Sequence, residues 1–517
     1  MKNKQLKIGA VISYVSIIVN LLAGLFFTPW MIRKIGQNEY GLYTLANSLI
    51  TLFLIDFGLS SATSRYISRY HAEGDEQAVD NFTGVVYKFY GIIDFVILAV
   101  LTTLYFFLPQ IYVGLTSQEL QQFKVVYIIA ASFNVINLPF LTLNGILIAY
   151  EKFIQLKAAD LIYRVLIVVL TVVALQCGMG LYALVSVNAV AGLIVILYKY
   201  AVVRTATKVK ANLKYKDKKL FKEIFFFSLW VTVTTLAQRL IFNITPSILG
   251  IVAASGVIAV FGVVTTIEGY FYTFTTAIGG MFMPSITRAC MDESEDAAKK
   301  LTPLMVNVGR FQFALNGLLV VGFALLGRHF ITLWMGPEYI DAYTGILLVT
   351  APGLFYNSLE VANTYMIVKN KVKIQAIIAV VCGVVNVILS FILSSVFGAV
   401  GACLSICAAY TLRAVAYHIV HGKVMRFNMW QFIKQCYLRV LPVMIITAAF
   451  GILLNYFVAD AGWVVLFIKI VAVAAVYLAA AFVFCFSRRE RRDAIEKIKN
   501  RLLRRNRQPQ NTNEEEK

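Results

Sequence analysis

Apolar runs of roughly 20 residues recur along the whole of this 517-residue chain, and that repetition leaves few folds open. At about 1.5 Å of rise per residue, such a run crosses the roughly 30 Å of a bilayer's hydrocarbon as a helix. Backbone N–H and C=O groups find no water there, so a spanning segment must satisfy its own hydrogen bonds, as a helix does. Composition agrees: 59% of the residues are hydrophobic and 14% charged, against the roughly 25% charged residues that a water-facing surface normally carries. The fold class that follows is an all-α polytopic membrane protein.

Polar and charged interruptions separate fourteen candidate helices, at 9–31, 40–62, 83–107, 125–148, 160–178, 181–202, 224–250, 254–284, 304–326, 345–367, 374–396, 399–420, 437–457 and 463–486. The N-terminal run is longer than the 7–15 residues of a signal peptide's apolar core, and further runs follow at once, so it reads as a retained first helix. With the N-terminus inside, about 35 of the 47 Lys and Arg fall in cytoplasmic segments. Only about four, Arg33, Lys34, Lys124 and Arg328, fall outside. This asymmetry predicts a multi-pass membrane protein with both termini in the cytoplasm.

The formal charge of +20 raises the question of nucleic acid. The charge is concentrated in two places: residues 203–222, with eight Lys/Arg against one Asp, and the tail from Ser487, with eleven against six acids. Both stretches lie between or after spans, where the positive-inside rule accounts for them, and no basic domain stands apart from the membrane. No nucleic-acid partner is expected. In the tail, Ile495, Ile498 and Leu502 recur at helical spacing among basic residues, a pattern suited to lying on anionic lipids of the inner leaflet or to docking a protein.

The seven cysteines (Cys177, Cys290, Cys382, Cys403, Cys407, Cys436 and Cys485) form no CxxC pair, and the four histidines (His71, His329, His418 and His421) are scattered over loops or span ends. No metal site, P-loop, dinucleotide fingerprint or HExxH motif is present, so no cofactor and no enzymatic activity are expected.

The basic stretch divides the chain into an N-terminal six-helix lobe (1–202), a cytoplasmic linker (203–222), a second six-helix lobe (223–420), two additional helices (421–486) and the basic tail (487–517). A weak internal echo supports two lobes: at an offset of 215, Ser13, Leu25 and Gly41 match Ser228, Leu240 and Gly256, and Pro29 falls two residues out of step with Pro246. Transporters built from repeats place the substrate path at the repeat interface.

An ionisable side chain near the bilayer centre costs at least about 2.5–3.5 kcal/mol on insertion scales, so each is a candidate for function. Arg239 and Glu268 stand at similar depth, roughly 20 Å from the turn near 253–256, on adjacent antiparallel helices. They read either as a structural ion pair or as a substrate-binding Arg239 with Glu268 tuning it or carrying a proton. Gln238, Asn243, Tyr270 and Tyr272 lie near them in sequence and fit a polar, aromatic-lined cavity. Asp56 is a candidate proton or cation site, or a partner of Arg65, and Asp94 is a similar candidate. Lys88, Arg310 and Arg439 stand one or two turns from the inner surface, where snorkelling explains them. Asp160 and Arg164 have the spacing of a local ion pair. Arg413 is a candidate for the cavity, while Glu360 and Lys469 have no evident role.

Residues 28–70, TPWMIRKIGQNEYGLYTLANSLITLFLIDFGLSSATSRYISRY, carry a Gly-x-x-x-Tyr-Gly-Leu-Tyr turn that leads into Asp-Phe-Gly-Leu and Arg-Tyr. This stretch resembles the opening helices of bacterial polysaccharide flippases, the Wzx-type exporters. Those belong to the multidrug/oligosaccharidyl-lipid/polysaccharide exporter superfamily. The resemblance implies two lobes around a central cavity, lined by helices 1, 2, 7 and 8, which again selects Asp56, Arg239 and Glu268. It implies alternating access, by which an undecaprenyl-pyrophosphate-linked oligosaccharide repeat unit passes from the inner to the outer leaflet for surface polysaccharide biosynthesis. H⁺ or Na⁺ coupling, and a polysaccharide polymerase or glycosyltransferases as partners, are compatible with it. Two rival functions remain: a cation-coupled multidrug extruder of the same superfamily, and a membrane scaffold for glycosyltransferases.

Overall fold

Every regular element among the described residues is helical. The structure is a computed structural model and describes residues 19, 21–54, 56–276, 286, 297–369 and 371–485. The basic tail, Cys290 and most of the first half of the first apolar run lie outside the described residues. The helices are α1 (Thr28–Ile35, entered through a π-turn at Ala23–Phe27), α2 (Gln37–Phe53), α3 (Leu59–Ala72), α4 (Glu76–Ile111), α5 (Ser117–Phe140) and α6 (Thr142–Ala149). They continue with α7 (Phe153–Gln176), α8 (Leu181–Ala206), α9 (Lys218–Phe242), α10 (Thr245–Val252), α11 (Ser255–Thr276), α12 (Ala297–Trp334) and α13 (Asp341–Thr350). The last are α14 (Gly353–Asn357), α15 (Glu360–Val368), α16 (Val372–Lys423), α17 (Met429–Phe432, running through a π-turn at Ile433–Tyr437), α18 (Leu438–Phe457) and α19 (Gly462–Phe484).

Among the described residues nine helices are long and apolar enough to cross a membrane, or eleven if each of two bent pairs is one span. Fourteen spans were expected; the first of them lies largely outside the described residues, and in other places the chain leaves the regular helix inside a run. The run at 40–62 is not one helix but α2 and α3, parted at Leu54–Gly58. The runs at 374–396 and 399–420 remain two helices, as expected: the stretch labelled α16 is broken at a non-helical Gly398 (φ 54°), and Ser390 meets Ser405 (2.6 Å) across the break. The run at 345–367 is split among α13, α14 and α15, with a bend of 57° before α15.

The chain divides into two compact units. The first comprises Met1–Tyr270, Trp334–Val349 and Lys371–Arg413. Within it α3 packs against α6, and Gly145 permits the approach. A Cβ at this position would stand 2.6 Å from the Ser60 carbonyl oxygen and 2.7 Å from Thr63 Cβ. Both are parts of a packed helix that cannot swing away, so Gly145→Val is expected to destabilise the protein by about 1–3 kcal/mol, the usual cost of overpacking. Thermal unfolding of the purified protein in detergent measures this.

Polar contacts tie the loops of this unit together. Thr116 and Glu119 form a capping box at the start of α5. Glu119 also accepts the hydroxyl of Ser255, the first residue of α11. Gln37 donates to the Gly256 carbonyl (3.3 Å), and the Leu181 N–H donates to Glu39 (3.2 Å). The basic stretch is docked as well. Asp80 receives the Asn212 N–H on its carbonyl (2.9 Å) and the Lys210 N–H on its carboxylate (2.7 Å). The Lys88 Nζ, expected to snorkel, donates to the Tyr215 carbonyl in that stretch. Asp160 lies 3.3 Å from Lys157, one turn along α7.

The second unit comprises Phe271–Leu333, Thr350–Asn370 and Ala414–Lys517. Its helical hairpin, α18 and α19, packs on α12 around Leu326, Leu466 and Val473. Lys469, whose side chain is 1% exposed, is satisfied by Asp460 (2.7 Å) and Asn455 (3.0 Å). That arrangement gives this lysine a structural role. Two histidines, expected to be scattered, are gathered here. His418 reaches the Tyr437 hydroxyl (2.7 Å), which also meets Ser358 (2.9 Å), and the buried His421 reaches Asn363 (3.0 Å).

Candidate functional site

Two interrupted helices of the first unit frame a cavity of about 390 Å³. One interruption, between α9 and α10, bends the chain by 41°. Pro246 causes it: the ring has no N–H for the Phe242 carbonyl and clashes with the preceding turn. Carbonyls loosened there need partners in a medium without water, and neighbouring helices supply them. Asn386 donates to the carbonyls of Leu240 (3.1 Å) and Ile241 (3.0 Å), and Ser48 donates to that of Asn243.

The other interruption lies between α2 and α3. Phe57 and Gly58 both have positive φ (54° and 70°), a region costly for a bulky side chain and cheap for glycine. Asp56 holds this corner. Its carboxylate accepts the Ser60 N–H (3.2 Å), the Ser60 hydroxyl (2.8 Å) and the Tyr90 hydroxyl (2.9 Å). On the far side of the break, Arg239 from α9 donates through Nη2 to the Leu54 carbonyl (2.8 Å). Arg239 thus joins one broken helix to the other, and its Nη1 is buried with no hydrogen-bond partner among the described residues.

The cavity is built from one face of α2, the α9–α10 bend and one face of α11. Tyr40, Tyr43, Thr44, Asn47, Ser48 and Thr51 recur at three- and four-residue intervals and therefore share one face of α2. Phe242, Asn243 and Pro246 come from the bend, and Gly262, Thr265, Thr266 and Glu268 from α11. Gly262 sets the separation at one end, since a Cβ there would stand 2.8 Å from Thr44 Oγ1. Among the described residues the lining therefore offers amides, hydroxyls, aromatic rings and a single carboxylate, with no lysine or arginine.

Of the residues singled out by sequence, Glu268 and Asn243 line the cavity. Arg239 stands one helical turn from Asn243 and is engaged with Leu54; no ion pair joins it to Glu268, which corrects the structural pairing considered above. Depth along two helices can be counted from sequence, but rotation about their axes cannot, and rotation separates these two. Asp56 is bonded to Ser60 and Tyr90, not to Arg65. Asp94 lies one turn beyond Tyr90 on α4, with a buried carboxylate oxygen that has no hydrogen-bond partner among the described residues. Gln238 and Tyr272 are exposed and outside the lining, and Tyr270 instead fills the space beside Gly24. Arg413 is buried and lies over the ring of Tyr410 (5.8 Å), which in turn packs on Phe242 of the cavity wall (5.7 Å).

Residues 6–291, more than half of the chain, match the family described as polysaccharide biosynthesis protein. The chain belongs to that family. No curated protein matches it by sequence. Solved structures share the fold of this family member at low identity. The lipid II flippase MurJ, in an inward closed conformation, superposes with a TM-score of 0.73 at 16% identity, over 92% of this chain and 98% of that one. An inward-facing multidrug resistance MATE transporter of the MOP superfamily gives 0.64 at 14%, over 81% and 99%. The Vibrio cholerae MATE transporter VcmN in its bent form gives 0.54 at 12%, over 83% and 99%. The family match and these folds support the resemblance drawn from residues 28–70.

Sequence reasoning about this family member missed the polar face of α2. Tyr40, Tyr43, Thr44, Asn47, Ser48 and Thr51 had a legible signal: a polar stripe of helical period inside an apolar run.

Proposed function

We propose that this protein is a flippase that carries a polyprenyl-pyrophosphate-linked oligosaccharide repeat unit from the inner to the outer leaflet of a bacterial cytoplasmic membrane by alternating access. The observation that carries the reading is a polar, aromatic-lined cavity between two broken helices of a multi-pass protein from the polysaccharide biosynthesis family. Breaks in spanning helices are tolerated where they line a cavity, and they commonly mark a transporter's binding site.

In this reading the six-helix lobes 1–202 and 223–420 move against each other, and both termini face the cytoplasm. The cargo's pyrophosphate meets Arg239 at its unpartnered Nη1, because a guanidinium in a low-dielectric site is a strong partner for phosphate oxygens. Glu268 faces the cargo. It and Asp94, neither of which has an ionic partner among the described residues, are the carboxylates for H⁺ or Na⁺ coupling. Asp56, bonded on three sides, holds the corner between α2 and α3. The remaining functional candidates, Gln238 and Arg413, act outside the cavity. The tail from residue 487 adheres to anionic lipids, and a polymerase or glycosyltransferases act beside the flippase.

A second reading, a cation-coupled multidrug extruder, is favoured by one observation: among the described residues Glu268 is the only carboxylate in the lining and no cation accompanies it. Mass spectrometry of polyprenyl lipids from cells with and without the gene separates the two. The flippase reading expects one sugar-loaded polyprenyl pyrophosphate to accumulate while surface polymer is lost. Unchanged lipids and polymer, in a strain that expresses the gene and has no second flippase, would contradict it.

A further inference from the structure

We infer that the cavity between α2 and α11 is a subsite for a sugar residue that carries no negative charge, and that it turns away uronic acids and the cargo's own pyrophosphate. This inference rests on the flippase reading and names what part of the cargo the cavity takes.

Charge comes first. An anion leaving water for a cavity in a membrane protein needs a cation or several fixed donors in return. Among the described residues the lining offers no lysine or arginine, and Glu268 would repel an anion. The nearest cation along the lining helices, Arg239, is one turn away from Asn243 and committed by one nitrogen to the Leu54 carbonyl. A phosphate can be met there, at the edge, but not inside.

Shape and surface chemistry come second. At about 390 Å³ the cavity stands at the lower end of small-molecule sites, which run from about 300 to 1,000 Å³, and is far larger than a bare ion. A sugar ring has polar hydroxyls around its rim and apolar C–H faces. Asn47, Asn243, Thr265 and Glu268 give donors and acceptors for the rim, while Tyr43 and Phe242 give flat apolar surface for a face. A flexible apolar drug would leave those amides and hydroxyls unpaired, at a cost for each. The two parts of a lipid-linked sugar thus fall on two neighbouring places, the uncharged ring in the cavity and the phosphates beside Arg239.

Saturation-transfer difference NMR on the full-length protein in detergent micelles tests this with free probes. The neutral set is glucose, galactose, mannose and N-acetylglucosamine; the anionic set is glucuronic acid, galacturonic acid and inorganic pyrophosphate, the last followed by ³¹P line width. At least one neutral sugar is expected to give a signal five or more times that of either uronic acid. Thr265→Trp, which fills the cavity, should reduce that signal at least fivefold. Glu268→Gln, which keeps the shape and removes the charge, should raise the uronic acid signal about threefold relative to that of the neutral sugar. The inference is overturned if no neutral sugar gives a signal, if uronic acids equal the neutral sugars in the wild type, or if the signal survives Thr265→Trp. Broadening of ²³Na resonances without any sugar signal would likewise overturn it and assign the cavity to ion coupling. The outcomes stay distinct from those of the flippase reading. Lipid accumulation without sugar binding removes the subsite alone, and sugar binding without lipid accumulation removes the proposed transport alone.

Discussion

Arg239→Ala is expected to reduce translocation of the lipid-linked sugar by about 100-fold while the protein still reaches the membrane at wild-type level. Two losses combine. The Leu54 carbonyl, at the end of α2, loses the Nη2 donor that bridges the two broken helices. A buried acceptor left without its partner costs about 1–3 kcal/mol, and bonds to charged donors stand at the upper end. The cargo's phosphate also loses its cation, and desolvated charge pairs of this kind commonly cost 2–5 kcal/mol when one partner is removed. About 2.7 kcal/mol in the transport barrier is a 100-fold change in rate. Arg239→Lys is expected to fall between, because an ammonium retains the charge but cannot serve a carbonyl and a phosphate with two fixed nitrogens. Transport rates in proteoliposomes, normalised to protein content, measure both variants. Retained transport in Arg239→Ala would remove this residue from the site.

Asp56 gives the second large effect, with a different signature. Asp56→Ala removes an acceptor for the Ser60 N–H, the Ser60 hydroxyl and the Tyr90 hydroxyl at a corner where Phe57 and Gly58 already adopt positive φ. Losing a side-chain cap costs about 0.5–2 kcal/mol, and the Tyr90 hydroxyl, on a residue that is otherwise fully buried, is left with only a longer contact (3.4 Å) to the Asp56 carbonyl. The expected total is about 2–3 kcal/mol of stability, read by thermal unfolding, with transport reduced about tenfold. Asp56→Asn keeps a carbonyl oxygen in the same place and is expected to keep most of the stability and of the transport. If Asp56→Asn were as stable as wild type but as inactive as Asp56→Ala, the carboxylate would be a coupling site and not a corner support.

Much of the fold was legible in the sequence because lipid simplifies the problem. Long apolar runs have one hydrogen-bonded solution, so the positions of most helices could be read from hydropathy alone. The places where that reading failed are those where the chain leaves the helix. In the Asp56-Phe57-Gly58 corner, glycine is a visible signal for positive φ, but phenylalanine beside it is not. Tertiary partners, Tyr90 and Arg239, are what hold it there. Pro246 was visible as a helix breaker, yet its position near the end of a run made it look like a terminus and not a bend.

The site shows the same division. Glu268 stood out because a charge in a span is rare, and Asn243 was drawn in by its nearness in sequence; both line the cavity. Arg239 was found for the same reason as Glu268, but its bond to a backbone carbonyl is invisible to any search for oppositely charged partners. Gln238, next to it in sequence, was drawn in by proximity, although adjacent helix residues point about 100° apart and it faces outward. Docking of the basic stretch on α4 through Asp80 and Lys88 depends on backbone donors and acceptors, which every residue carries and no composition reveals.

The central claim, that this protein moves a lipid-linked sugar across a bilayer, is tested most directly by reconstitution. Purified protein is placed in liposomes that contain a polyprenyl-pyrophosphate-linked oligosaccharide in the inner leaflet only, and the sugar arriving at the outer leaflet is oxidised by added, membrane-impermeant periodate. The account expects oxidation to exceed that of protein-free liposomes at least tenfold, and Arg239→Ala to return it to the protein-free level. Oxidation at the protein-free rate with folded wild-type protein, measured with and without H⁺ and Na⁺ gradients, would contradict it.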